Sequence, residues 1–234
     1  TQTQTSLNSN STACSIANIS SSPKQNKVIF NEIAWMGDKV SASNEWIELK
    51  NISNQKINLA GWSLVNANQK IKIVFQSSHA LNSGAFLLLE RTDDNSVPNI
   101  TADLIYNGAL ANTNETLYLF NNNCELEDIV KAQPNWPAGD NETKRTMERA
   151  LNNLIWYTYG ASDEDDILGT PKAENSNTNW SKPLPGGSGG TNSSSNSNNT
   201  NNTNNTNNTN NANNTITACS QTNLNNPIHG PVII

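Results

Sequence analysis

Few residues in this 234-residue chain have the types and spacing that chemistry requires. The only two histidines are His79, in a polar stretch after Phe75, and His229, in Asn-rich surroundings. Neither stands where a nucleophile and its base would be paired. The run Asp163-Glu164-Asp165-Asp166 could hold Ca²⁺ through Asp163, Asp165, Asp166 and loop carbonyls. A helix-loop-helix calcium loop needs Gly at its sixth position, and counting from Asp163 that position is Leu168, so a solvated acidic loop is the expected reading. Glu32 lies amid apolar residues, between Phe30 and Ile33. It is expected to cap turn amides inside a packed body, the sharper alternative being an acidic site shared with Glu45 or Glu48. The sequence contains neither a Gly-rich phosphate loop nor Cys/His zinc spacing. The expectation is a protein without cofactor, resident metal or catalytic residues.

The elements that would position these groups are strands. Val28 to Trp35 is β-branched and aromatic. Glu45 to Asn51 alternates, with Ile47 and Leu49 on one face and Glu48 and Lys50 on the other. Glu48 is then expected on a polar face, paired with Lys50 or a cross-strand neighbour. Ile57 and Leu59 share a face, and after Gly61 so do Trp62 and Leu64. Gly61 suits a kink where the chain changes sheet. Ile71, Ile73 and Phe75 alternate, Ala85 to Leu89 is continuously apolar, and Leu104 to Tyr106 is a further short strand. Leu117 and Leu119, then Leu126 and Ile129, flank the turn-forming Asn121-Asn122-Asn123. Seven or eight strands without helical periodicity predict an all-β sandwich or barrel over residues 27–175. Trp35, Trp46, Trp62, Trp136 and Trp156 are expected to be its largest buried contributors.

Composition sets the limits of that domain. Apolar residues reach only 34%, below the roughly 45–50% of an ordinary globule, so part of the chain is expected not to fold. Forty-four residues are Asn. Residues 1–26 and 176–230 are rich in Ser, Thr, Asn, Gln and Gly and are expected to be disordered linkers. The net charge of −6 and a pI near 4.9 argue against nucleic-acid binding, which needs clustered Lys and Arg. The longest apolar run, Ala85 to Leu89, is far short of the roughly 18 residues of a membrane-spanning helix. An internal echo points to repetition. Thr12-Ala13-Cys14-Ser15 precedes Val28-Ile29-Phe30, and Thr217-Ala218-Cys219-Ser220 precedes Val232-Ile233-Ile234 at nearly the same distance. Residues 231–234 are accordingly expected to open a second, truncated repeat.

Several segments together resemble a known family. Val28-Ile29-Phe30-Asn31-Glu32-Ile33 is similar to the opening strand of the lamin tail domain. Glu45-Trp46-Ile47-Glu48-Leu49-Lys50-Asn51 resembles its most recognisable segment, and Ile57 to Leu64, with Gly61-Trp62, follows at the expected distance. Leu81 to Leu89, the pair Leu117 to Phe120 and Asp128 to Val130, and Arg145 to Arg149 with Gly169-Thr170-Pro171 and Asn175, continue the likeness. The resemblance implies an immunoglobulin-like fold without established catalytic residues. The family is known from nuclear lamins and from secreted or surface bacterial proteins, where it often accompanies nucleases or other hydrolases. Lamin-type heptads are absent from this sequence, which favours the bacterial, extracellular branch.

Cys14, Cys124 and Cys219 complete the reading. If each repeat carries one Cys before its first strand and one in its last hairpin, Cys14 pairs with Cys124; free thiols are the alternative. A disulfide and a Ser/Thr/Asn linker both suit an oxidising exterior. The expected function is a non-catalytic adhesive or structural module of a larger extracellular or cell-surface protein with tandem repeats. Its partners would be another protein, a surface glycan or neighbouring repeats. The alternative is an accessory binding domain of a secreted hydrolase or nuclease.

Overall fold

A computed structural model describes residues 13–17, 19, 23 and 26–176. The expected linker 176–230, apart from Ser176, and the expected second repeat at 231–234 lie outside these residues, as does most of 1–26.

No described residue is helical, and among the described residues no helix is long and apolar enough to cross a membrane. The strands in chain order are β1 (Val28–Ala34), β2 (Trp46–Asn51), β3 (Ile57–Asn58), β4 (Ser63–Asn66), β5 (Lys72–Val74) and β6 (Ala80–Leu81). They continue as β7 (Phe86–Arg91), β8 (Leu104–Tyr106), β9 (Thr113–Phe120), β10 (Leu126–Asn135), β11 (Met147–Arg149) and β12 (Trp156–Thr158). A six-stranded sheet runs β12-β11-β1-β2-β7-β8, and a four-stranded sheet runs β10-β9-β4-β5. β3 and β6 pair as a small ribbon at the side. Pairing within the two sheets is antiparallel except between β7 and β8. The architecture is an immunoglobulin-like β-sandwich.

The space between the sheets is filled by the inward residues of both. Phe30, Ile33, Ile47 and Leu49 meet Leu64, Ile73, Leu117 and Leu119 in one continuous cluster. Trp35 stacks on Trp136 at 5.9 Å with the rings 6° from parallel. Each indole N–H also finds a carbonyl, Ala138 for Trp35 and Ala111 for Trp136, which satisfies the polar end of a buried aromatic. Gly61, at φ +77°, makes the turn by which the chain leaves β3 and enters β4, a conformation most side chains resist.

The outer faces are not left to water. Over the four-stranded sheet, Ala13, Cys14, Ile16 and Ile19 pack on Val65, Phe120 and Leu126. The Cys14–Cys124 disulfide pins this segment to the β9–β10 hairpin, with the two Cα atoms 5.4 Å apart, and the Cys14 N–H donates to Ser63 Oγ at 3.1 Å. Over the six-stranded sheet, Trp46, Ala34 and Leu88 pack under Val97, Ile100 and Ile167 from two loops. Every residue of β1 and β2 is therefore buried, on both faces.

A buried carboxylate row beneath a C-terminal strap

One local irregularity brings the acidic residues together. β1 pairs with β2 through Phe30↔Leu49 and then Glu32↔Glu48, so Asn31 is the extra residue of a β-bulge. Side chains of a regular strand alternate, which would put Glu32 on the same face as Val28 and Phe30. The bulge shifts the parity, so that Ile33 and Trp35 take over the core side. Glu32 is delivered to the outer face, level with Glu48 on β2 and with Glu148 on β11. Three glutamates thus lie side by side across three neighbouring strands, all essentially inaccessible.

A single segment, residues 169–176, covers this row and supplies most of its donors. The Thr170 N–H donates to both oxygens of Glu32, at 2.9 and 3.1 Å, and the Thr170 hydroxyl lies 2.8 Å from Glu32 Oε2 and 2.7 Å from Glu148 Oε1. Glu48 Oε2 accepts the Lys172 N–H at 2.5 Å, and its other oxygen accepts Asn31 Nδ2 at 2.8 Å. Glu148 accepts the Ser176 N–H at 3.0 Å and the Ser176 hydroxyl. Thr146 on the sheet adds a hydroxyl to Glu32 at 2.5 Å. Gly169 has no room for a side chain, because a Cβ there would stand 2.4 Å from Glu32 Oε1. Asn175 closes the gap at the bulge, where the β1–β11 ladder stops. Its Nδ2 donates to the carbonyls of Asn31 and Arg149, at 3.2 and 2.8 Å, and its Oδ1 accepts Asn31 Nδ2 at 2.9 Å. At the rim, Lys50 Nζ lies 2.5 Å from Glu174 and Lys172 Nζ 3.0 Å from Asp103.

Burial dominates the electrostatics. It pushes the Glu32 carboxyl well above its ordinary range, reinforced by the neighbouring charges of Glu148 and Glu48 and opposed by the donors from Thr146 and Thr170. Burial pushes Glu48 up to about 8, against the bonds from Lys172 and Asn31 and the nearby lysine charges. Glu32 and Glu48 therefore retain protons at neutral pH. Its oxygens already face donors, and among the described residues no three His, Cys, Asp or Glu converge as a metal site.

The other residues singled out from the sequence fall elsewhere. Glu45 does not join the row: it accepts the Leu110 N–H at 2.8 Å and faces Arg91 at 3.2 Å, and burial raises it to about 7. Trp46 sits in the outer apolar cluster and Trp62 in the main core. Asn51 ties two loops, donating to the carbonyls of Gln55, Leu81 and Asn82 and accepting from Ser53. Asp163 pairs with Arg145, and Asp165 accepts the Tyr159 hydroxyl at 3.0 Å. His79 Nδ1 accepts the Gln76 N–H at 2.9 Å and its ring meets Phe75 edge-on, which is a turn contact.

Residues 21–133 match the family model of the lamin tail domain. The sandwich belongs to the lamin tail domain family. No curated protein matches the chain. In this lamin tail domain β11, β12 and the strap at 169–176 lie beyond the matched segment, yet they supply Glu148 and most of the donors to the row. The family is a non-enzymatic, immunoglobulin-like module, and the sealed row is consistent with that: its carboxylates hold the strap rather than face a substrate.

Proposed function

We propose that this lamin tail domain is a non-catalytic adhesive or structural module of a larger secreted or cell-surface protein. It is spaced from its neighbours by Asn- and Thr-rich chain. The observation that carries the reading is the commitment of the acids. Glu32, Glu48 and Glu148 are closed over by the strap, and Asp163 and Asp165 are engaged by Arg145 and Tyr159. The domain's groups with chemical potential are thereby spent on architecture. The Cys14–Cys124 bridge supports an oxidising exterior, where such bonds persist. The recurrence of Thr-Ala-Cys-Ser at 12–15 and 217–220 supports tandem modules.

The test is an antibody against the sandwich applied to intact cells and to culture medium of the source organism. Labelling of unpermeabilised cells, lost after mild external proteolysis, or recovery from the medium is the expected result. Labelling only after permeabilisation would overturn the extracellular assignment. The sequence of the parent polypeptide decides between further sandwich modules and the alternative of an accessory domain beside a secreted hydrolase.

A further inference from the structure

Two sheet edges meet along one side of the sandwich. β5 ends the four-stranded sheet and β8 ends the six-stranded one, and a groove of about 410 Å³ runs between them. Lys70, Lys72 and Ile73 line one wall, and Leu104, Ile105 and Tyr106 the other. One end is shut where Gly108, at φ +108°, approaches the backbone of Lys70 so closely that a Cβ would lie 2.9 Å from its carbonyl oxygen. The amides of β5 divide by parity. The Phe75 N–H reaches the Trp62 carbonyl and the Asn66 N–H the Ile71 carbonyl, so the odd-numbered residues of β5 spend their backbone groups on β4. Lys72 and Val74 aim theirs at the groove. The Val74 carbonyl takes up Gln76 Nε2 at 3.2 Å, which leaves Lys72 as the open pairing position. Ile105, 43% exposed, offers an apolar contact on the opposite wall.

We propose that this groove binds an extended acidic segment of a partner protein, which adds to β5 as a further strand with carboxylates beside Lys70 and Lys72 and an apolar residue on Ile105. This deepens the interaction-module reading and rests on it. The only charges lining the groove are the two lysines, on a protein whose net charge is −6. That local sign selects the occupant. Lysines on an edge repel an identical edge, which disfavours a second copy, whereas an incoming strand with alternating acids meets complementary charge. Main-chain bonds then give affinity and the flanking side chains give specificity, as in other strand-addition sites.

The test is calorimetric titration of the oxidised chain, at low and at physiological salt, with two blocked synthetic peptides. One alternates Val with Glu and the other alternates Val with Lys. The acidic peptide is expected to bind and to weaken with salt, and the basic one not to bind. Charge reversal by K70E/K72E should weaken the acidic peptide about tenfold or more and admit the basic one, with the unfolding midpoint little changed. K72P, which removes an amide that β4 does not use together with the Lys72 charge, should weaken the acidic peptide more than K72A, which removes the charge alone, while K72R keeps binding. Absence of binding by the acidic peptide, equal binding of both peptides, or indifference to K70E/K72E would overturn the proposal. Concentration-dependent self-association blocked by the same variants would overturn it in favour of a second copy. None of these outcomes bears on cell-surface labelling, so the broader reading stands or falls separately.

Discussion

Replacing Glu48 by Gln removes one ionisable group from the buried row and leaves its shape. The wild-type carboxyl titrates near 8 in the folded protein against an ordinary 4.5. Between those values the native state holds a proton that the unfolded chain has released, so unfolding releases a proton. The stability that Glu48 contributes is therefore fully present below about pH 4.5 and falls as pH rises to about 8, with a slope of about 1.4 kcal/mol per pH unit for each proton held. Over that window Glu48 alone costs on the order of 4–5 kcal/mol, an upper bound for an acid that shares protons with its neighbours. Gln pays none of this. Its single amide oxygen, however, replaces two acceptors, and one of the donors from Lys172 and Asn31 is left unmatched, at about 1–3 kcal/mol whatever the pH. The two stability curves should cross. Glu48→Gln should be less stable than wild type at pH 5, and more stable by about 2 kcal/mol at pH 9, where the full titration cost outweighs the lost bond. Denaturant unfolding followed by tryptophan fluorescence at half-unit steps from pH 5 to 9 measures both curves by linear extrapolation. Glu45 titrates in both proteins and leaves the difference intact, whereas Glu32 loses the upward push of the Glu48 charge, which adds to the variant's advantage at high pH. Parallel curves across the whole range would refute the retained proton and the burial argument behind it.

Three further outcomes follow from the same contacts. Cys14→Ser opens a loop of 110 residues, and on the chain-entropy model should cost about 4–5 kcal/mol in urea unfolding, matched by wild type under reductant; a change below about 1 kcal/mol would show that the bridge does not carry the hairpin. Gly169→Ala forces a methyl against Glu32 and should destabilise by about 1–3 kcal/mol, with faster amide exchange confined first to the strap, so uniform exchange would contradict a local latch. Millimolar Ca²⁺ should leave the melting temperature unchanged, because Asp163 and Asp165 are engaged by Arg145 and Tyr159; a clear rise would restore the acidic run as a metal site.

Much of the sandwich was legible in the chain. Alternation at Glu45 to Asn51 and at Ile71 to Phe75 marks β2 and β5, and the apolar run before Arg91 marks the two-sided burial of β7. Twelve strands stand where seven or eight were expected, in part because β6, β11 and β12 are two or three residues long and carry no period of their own. Alternation also misplaced Glu48. It sits on the face opposite the core, as its spacing says, but that face is roofed by coil segments, and coil has no pattern that announces what it covers. The bulge at Asn31 is equally silent, and without it Glu32 cannot be assigned to a face. What could have exposed the row is Gly169-Thr170-Pro171 followed by Asn175: a glycine, a hydroxyl and an amide placed beyond the last long strand.

The 110-residue ring closed by Cys14 and Cys124 also sets how the module answers a pull. Tension entering at Cys14 crosses the sulfur bridge directly to the far hairpin and leaves through the strap. Everything enclosed between the two cysteines is bypassed and cannot lengthen. Only residues 125–176 can pay out, at most about 170–190 Å at roughly 3.3–3.6 Å per residue. A string of such modules would stretch by short, fixed increments, and most of each body would stay folded under load.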